Sequence, residues 1–215
     1  MKRYFITGTD TDCGKTYVTC ELLRYLNSKQ QRAQAIKPLA SGCSEHDGQL
    51  ISEDVTRLQR YNYAPLQDVN NWSYEPPIAP HLAAERMGDE LSATKMALFC
   101  DNKEFSEFDY LLVEGAGGLL VPLNEDETWL DFLQLTSMPV ILVVGMRLGC
   151  INHALLSDYV LKTNHIPCLG WIANIIDQNM LVIDENIVTL SSRMHMPLIA
   201  TITNGGGIEE ISGLL

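Results

Sequence analysis

The side chains best suited to chemistry sit in a few short stretches. The first is Gly8-Thr9-Asp10-Thr11-Asp12-Cys13-Gly14-Lys15-Thr16. The apolar run Tyr4-Phe5-Ile6 leads into it, and a helix-like run from Tyr17 to Leu26 leads out. Strand, glycine loop, Gly-Lys-Thr, helix is the layout of a phosphate-binding loop. Glycine lets the backbone approach a phosphate without a Cβ in the way. The N–H groups of Gly14, Lys15 and Thr16 are free donors at a helix start, where the helix dipole favours an anion. The Lys15 ammonium reaches outer phosphates and the Thr16 hydroxyl is a magnesium ligand. Gly8 stands one residue before the usual first glycine, whose place Thr9 holds.

Further polar residues follow apolar runs. Lys37 ends the second such run, before Pro38 and Ser41-Gly42, and could neutralise a transferring phosphoryl group. The plainer reading is a surface lysine snorkelling over the core. Asp54 lies in the first turn of a helix, where the dipole alone would favour it. Glu114 comes directly after Tyr110-Leu111-Leu112-Val113 and is expected to emerge beyond a buried strand at the ligand edge. Magnesium takes oxygen ligands, usually one or two carboxylates with phosphate oxygens and waters, and Thr16, Asp54 and Glu114 suit that inventory. The glycines after Glu114 are expected to admit close approach of a ligand. Asn174 can read the edge of adenine, or simply cap a turn. Gly149-Cys150-Ile151-Asn152 opens a helix whose start attracts a carboxylate or phosphate. The five histidines show no ligand spacing, and no Gly-x-Ser-x-Gly nucleophile motif is present.

The elements that position these residues alternate. Strands are expected over 3–7, 33–37, 110–113, 139–145, 167–176 and 197–202, and helices over 14–28, 52–61, 92–102, 128–135, 151–164 and 182–193. Pro80 is a plausible first residue of another helix. Residues 39–48 read as a small-residue loop and 64–80 as an irregular, proline-rich one. Alternation of this kind predicts an α/β fold, a mostly parallel sheet with helices on both faces, P-loop NTPase-like, and a single domain over 1–215. Ligands of such sheets bind beyond the carboxyl ends of the strands, where all the flagged loops converge.

A net charge of −12 over 215 residues argues against nucleic acid or an anionic membrane as partner. Binding an anionic nucleotide then needs local cations, and Lys15 and Lys37 can supply them. The six cysteines have no Cys-x-x-Cys spacing, which favours free thiols in a reducing cytoplasm. No secretory signal and no membrane-length apolar run is seen.

Taken together, Thr7 to Thr16, Lys37-Pro38-Leu39-Ala40-Ser41-Gly42, Pro80-His81, Val113-Glu114-Gly115-Ala116-Gly117-Gly118, Val143 to His153 and Gly170-Trp171-Ile172-Ala173-Asn174 closely resemble dethiobiotin synthetase. The blocks stand in that family's order, and its longer loop explains the early Gly8. The resemblance implies a cytoplasmic ligase of biotin synthesis that joins 7,8-diaminononanoate and CO2 with ATP. One amine takes up CO2 as a carbamate, the carbamate attacks the γ-phosphate, and the second amine closes a ureido ring and expels phosphate. It implies Thr11, Lys15, Lys37 and Ser41 around the carbamate and γ-phosphate, and Mg2+ on Thr16, Asp54 and Glu114. Nucleotide contacts fall to Asp12, Cys13, Gly14, Lys15, Thr16, Tyr17, Asp54, Glu114, Gly115, Ala116, Gly117 and Asn174. It further implies a homodimer in which Gly149, Cys150, Ile151 and Asn152 receive the substrate carboxylate across the interface. The family's last strand usually runs into an Ile-Pro turn, whereas here Ile202 runs into Thr203-Asn204-Gly205.

Two other classes share the nucleotide fold. A partitioning-type switch ATPase carries a second lysine early in the loop, where this chain has Thr9-Asp10-Thr11. A glutamine-dependent amidase-synthetase needs an ammonia-generating domain. On the favoured reading, Lys15→Ala and Lys37→Ala each abolish ring closure and leave the fold intact.

Overall fold

The chain is described by a computed structural model at every residue except Gln67, Asn204, Glu209 and Leu215. Its strands are β1 (Lys2–Gly8), β2 (Ala33–Ile36), β3 (Leu39–Ser41), β4 (Ser44–His46), β5 (Gln49–Ile51), β6 (Trp72–Tyr74), β7 (Tyr110–Gly118), β8 (Val140–Gly145), β9 (Cys168–Asn174) and β10 (Leu198–Ile202). The helices are α1 (Lys15–Ser28), α2 (Glu53–Tyr61), α3 (Pro80–Met87), α4 (Ala93–Cys100), α5 (Trp129–Thr136), α6 (Cys150–Thr163) and α7 (Ile183–Arg193). Six strands form one parallel sheet in the order β10-β9-β8-β1-β7-β2. The chain crosses over to both sides of β1, so the crevice expected in such sheets lies at the carboxyl end of β1.

Successive strand residues face opposite sides, and both sides are apolar. Phe5, Leu111, Val113, Leu142 and Val144 join one core with Met96, Phe132, Ala154 and Leu190 of the helices. Tyr4, Ile6, Leu112, Ile141 and Val143 join the other, with Val18, Leu22, Leu26 and Leu58. The expected sandwich of helix, parallel sheet and helix is therefore present.

Three differences from the sequence reading stand out. Residues 39–48 are not a plain loop: β3 pairs in parallel with β6, and β4 pairs antiparallel with β5. The β4–β5 turn carries Asp47 at φ 51° and Gly48 at φ 79°, the Asp-Gly signature of a tight hairpin. The stretch 64–80 is likewise interrupted by β6. The strand read as 110–113 continues to Gly118, so Glu114 lies inside it. β3, β4, β5 and β6 are illegible in the sequence because a three-residue strand has too few residues to show alternation.

Candidate active site

The loop after β1 is shaped by close packing. A Cβ on Gly8 would lie 2.3 Å from Cys13 Sγ, and one on Gly145 would lie 2.9 Å from Cys13 Cα. Gly8 is thus glycine to admit the Cys13 side chain, which is buried. Gly14, at φ 86°, starts α1 with no side-chain cap, whereas Ser52, Ser92 and Thr128 cap α2, α4 and α5. The first amides of α1 have no side-chain partner at the cap, an arrangement suited to an anion. Asn174 is buried behind the loop and its amide donates to the Cys13 carbonyl at 2.9 Å. Its first visible task is therefore to hold the loop.

Lys15 Nζ donates to the Asp10 carbonyl at 3.0 Å. The Asp10 carboxylate accepts the Thr11 N–H at 2.8 Å and pairs with Arg147. The Thr16 hydroxyl donates to Glu114 Oε1 at 2.7 Å, and Lys37 Nζ donates to the same oxygen at 2.8 Å. Lys37 also pairs with Asp54 Oδ2. Burial opposes the Lys37 charge, but Glu114 and then Asp54 outweigh it and hold the ammonium above its ordinary pKa. Burial likewise opposes ionisation of Asp54, yet Lys37 overcomes it and keeps the carboxyl below its ordinary value.

Glu114 corrects its sequence reading: it is 0% exposed within β7 rather than emerging past the strand. Its Oε2 is buried without a hydrogen-bond partner. An orphaned carboxylate oxygen beside a hydroxyl and a second carboxylate fits a hard, oxygen-seeking cation. Among the described residues no three His, Cys, Asp or Glu side chains cluster as a metal centre of their own. Two carboxylates and a hydroxyl are what magnesium needs when phosphate and water complete its shell. Gly115 has a further reason to be glycine, because a Cβ there would lie 2.6 Å from Phe5 Cζ. It serves packing on the core. Gly117, at φ 66°, has Val121 and Thr11 beside it.

A cavity of about 700 Å³ gathers most of the flagged residues. Thr11, Asp12, Gly14, Lys15, Thr16, Tyr17, Lys37, Ser41, Asp54, Ala116 and Gly117 all line it. Cys13, Glu114, Gly115 and Asn174 do not line it. Gly149, Cys150, Ile151 and Asn152 do not line it; they open α6, which also lacks a side-chain cap. A second cavity, about 410 Å³, lies between the loop, residues 118–122 and α6. Thr11 and Val121 belong to both cavities.

Some contributors escaped the sequence reading. Asn70 donates to the Lys37 carbonyl at 2.7 Å and so fixes the turn that aims Lys37. Nothing in the sequence marks it. Ser41 is held by the β3–β6 pairing, in register with Tyr74. Arg57 lines the large cavity, and its spacing of three from Asp54 was the available signal. Tyr17 donates to the Gly206 carbonyl at 2.6 Å, which brings the glycine-rich tail against the start of α1. The unusual Asn204 of that tail lies outside the described residues.

A protein-family model described as an AAA domain matches residues 2–211. The ATP-dependent dethiobiotin synthetase BioD of Legionella pneumophila (strain Philadelphia 1) is 52% identical over 211 residues, covering 98% of each chain. The protein of the same name from Cellvibrio japonicus is 43% identical over 203 residues, covering 94% of this chain and 89% of that one. Among solved structures, the septum site-determining protein MinD complexed with Mg-ADP from Pyrococcus horikoshii superposes with a TM-score of 0.56. It is 18% identical, with 94% of this chain and 81% of that one covered, a likeness of fold alone. The fold is that of the P-loop NTPases, and at such identity across almost its whole length the chain belongs to the ATP-dependent dethiobiotin synthetase family.

Proposed function

We propose that this chain, acting as one domain over 1–215, is a ligase of biotin biosynthesis that makes dethiobiotin with ATP as co-substrate. The observation that carries the reading is the single cavity in which Lys15, Thr16, Lys37, Ser41 and Asp54 meet from separate elements. The substrates are 7,8-diaminononanoate and CO2. The nucleotide phosphates occupy the large cavity, and the diamine occupies the second, with its reacting end at Thr11, which borders both.

In the reaction one amine adds to CO2 and loses a proton, giving a carbamate. A carbamate oxygen attacks the γ-phosphorus and ADP leaves. The second amine then attacks the carbamate carbon, the ureido ring closes and phosphate departs. The protein aligns these partners and neutralises charge. Thr11 and Ser41 orient the carbamate by hydrogen bonds. Lys15 leaves the Asp10 carbonyl for the phosphates, and Lys37 faces the charge shared by carbamate and γ-phosphate. Thr16, Asp54 and Glu114 would hold Mg2+, which supplies charge neutralisation on the phosphates. Asp12 to Tyr17, Ala116, Gly117 and Asn174 surround the nucleotide.

A homodimer accords with exposed apolar side chains around α6 and α7. Leu148 is 96% exposed, directly before the Gly149–Asn152 turn, and Leu156, Tyr159, Leu181 and Val188 are exposed as well. On this reading that helix start takes the substrate carboxylate of the partner. A cytoplasmic setting accords with six free cysteines. Among the described residues no helix is long and apolar enough to cross a membrane.

The test is phosphate release from ATP with and without the diamine and bicarbonate, together with mass detection of dethiobiotin. Release that ignores the diamine defeats the reading.

A further inference from the structure

The nucleotide cavity contains a cation for which the roles above have no use. Arg57 follows Asp54 by three residues on α2, which places both on one side of the helix. Arg57 is among the residues that line the cavity, together with Lys15, Thr16 and Lys37. The Arg57 side chain is 54% exposed and pairs with Glu53, whose own side chain is 79% exposed and lies outside the cavity lining. Of the two lysines in the cavity, one is held by ion pairs and the other is free to turn to the phosphates. Lys37 answers two carboxylates, and Lys15 rests on a carbonyl. Asp12 and Asp54 add negative charge to the same cavity. A triphosphate and a carbamate entering this space bring more negative charge than Lys15 and the Mg2+ of the proposed function neutralise, in a chain whose net charge is −12.

We propose that Arg57 turns from Glu53 into the cavity and contacts the terminal phosphate of the bound nucleotide, as a catalytic residue of phosphoryl transfer. Asp54, Lys37 and Ser41 mark the end of the cavity where that phosphate lies, and Arg57 shares a helix face with Asp54. An exposed pair at i,i+4 holds weakly, so the guanidinium leaves Glu53 at little cost. Its planar fork matches two phosphate oxygens, which an ammonium does not. The inference rests on ATP being the co-substrate.

The experiment measures Mg-ATP and Mg-ADP affinities by calorimetry for the full chain and for Arg57→Ala, Arg57→Lys and Glu53→Gln. The position is an exposed one on a helix, where alanine is well tolerated. Arg57→Ala is expected to weaken ATP binding about tenfold and ADP binding less than about twofold, from the loss of a charge-assisted contact. Arg57→Lys recovers part of the loss. Glu53→Gln, which frees Arg57 from its resting partner, leaves ATP binding equal or tighter. Equal losses for ATP and ADP, or a Glu53→Gln defect as large as that of Arg57→Ala, overturn the proposal and make the pair a surface strut. Failure of the ring-closing reading shows separately, as wild-type chain that binds ATP yet releases no phosphate with the diamine.

Discussion

Replacing Lys37 with methionine removes one ammonium and keeps most of the stem. Glu114 then loses its donor at 2.8 Å while its side chain is 0% exposed. Only the Thr16 hydroxyl remains on Oε1, and Oε2 has no partner to begin with. Removing one member of a buried ion pair costs about 3–5 kcal/mol, because the other charge stays behind unpaired. Asp54 adds little, since its side chain is 41% exposed and water can take over. The lower end, about 3 kcal/mol, is therefore expected. For a chain of this size that is a fall of about 6–12 °C in Tm. Adding Glu114→Gln removes the stranded charge and should return more than half of the loss. Thermal unfolding followed by circular dichroism at neutral pH, without nucleotide, measures both. A single variant within about 2 °C of wild type, or a double variant no better than the single, refutes the reasoning. From the sequence alone, removal of Lys37 is expected to leave the fold intact; the buried Glu114 partner predicts a stability cost, which this measurement decides.

Gly8→Ala should destabilise by about 1–3 kcal/mol, since its Cβ would sit 2.3 Å from Cys13 Sγ and 3.2 Å from the Asp10 carbonyl, and Cys13→Ala in the same chain should relieve part of it. Urea unfolding that shows no relief points to another contact. Asn174→Ala strands the buried Cys13 carbonyl, at a cost of about 1–3 kcal/mol. It should also relax the preference for ATP over other triphosphates; an unchanged preference in competition binding assigns base reading to other groups. Asp54 has a folded pKa below its ordinary value, so the stability it adds is present above about pH 4 and is lost as pH falls through the folded value. The acid limb of a stability profile should therefore be flatter in Asp54→Asn than in wild type below about pH 4. Superimposable limbs would show that Lys37 gains nothing from Asp54.

Much was legible in the sequence because it is carried by neighbouring residues. Gly14-Lys15-Thr16 after an apolar run announces a phosphate loop wherever it occurs. The long apolar strands and their alternation with helices announce a parallel sheet, and such a sheet dictates that the loops after β1, β2, β7 and β8 meet at one edge. Lys37, Asp54 and Glu114 could be singled out on that ground before any contact was known. What the tertiary structure alone decided is the electrical state of those residues. Thr16 and Glu114 are 98 positions apart, and Lys37 and Glu114 are 77 apart. No local pattern tells that β7 runs on past Val113, buries the carboxylate completely and leaves one of its oxygens unpaired. Nor does any pattern tell that β6 pairs with β3 to hold Ser41, or that Asn70 aims Lys37. Residue type and period are properties of a short stretch of chain. Burial, pairing and the balance of charge are set by residues that only folding brings together.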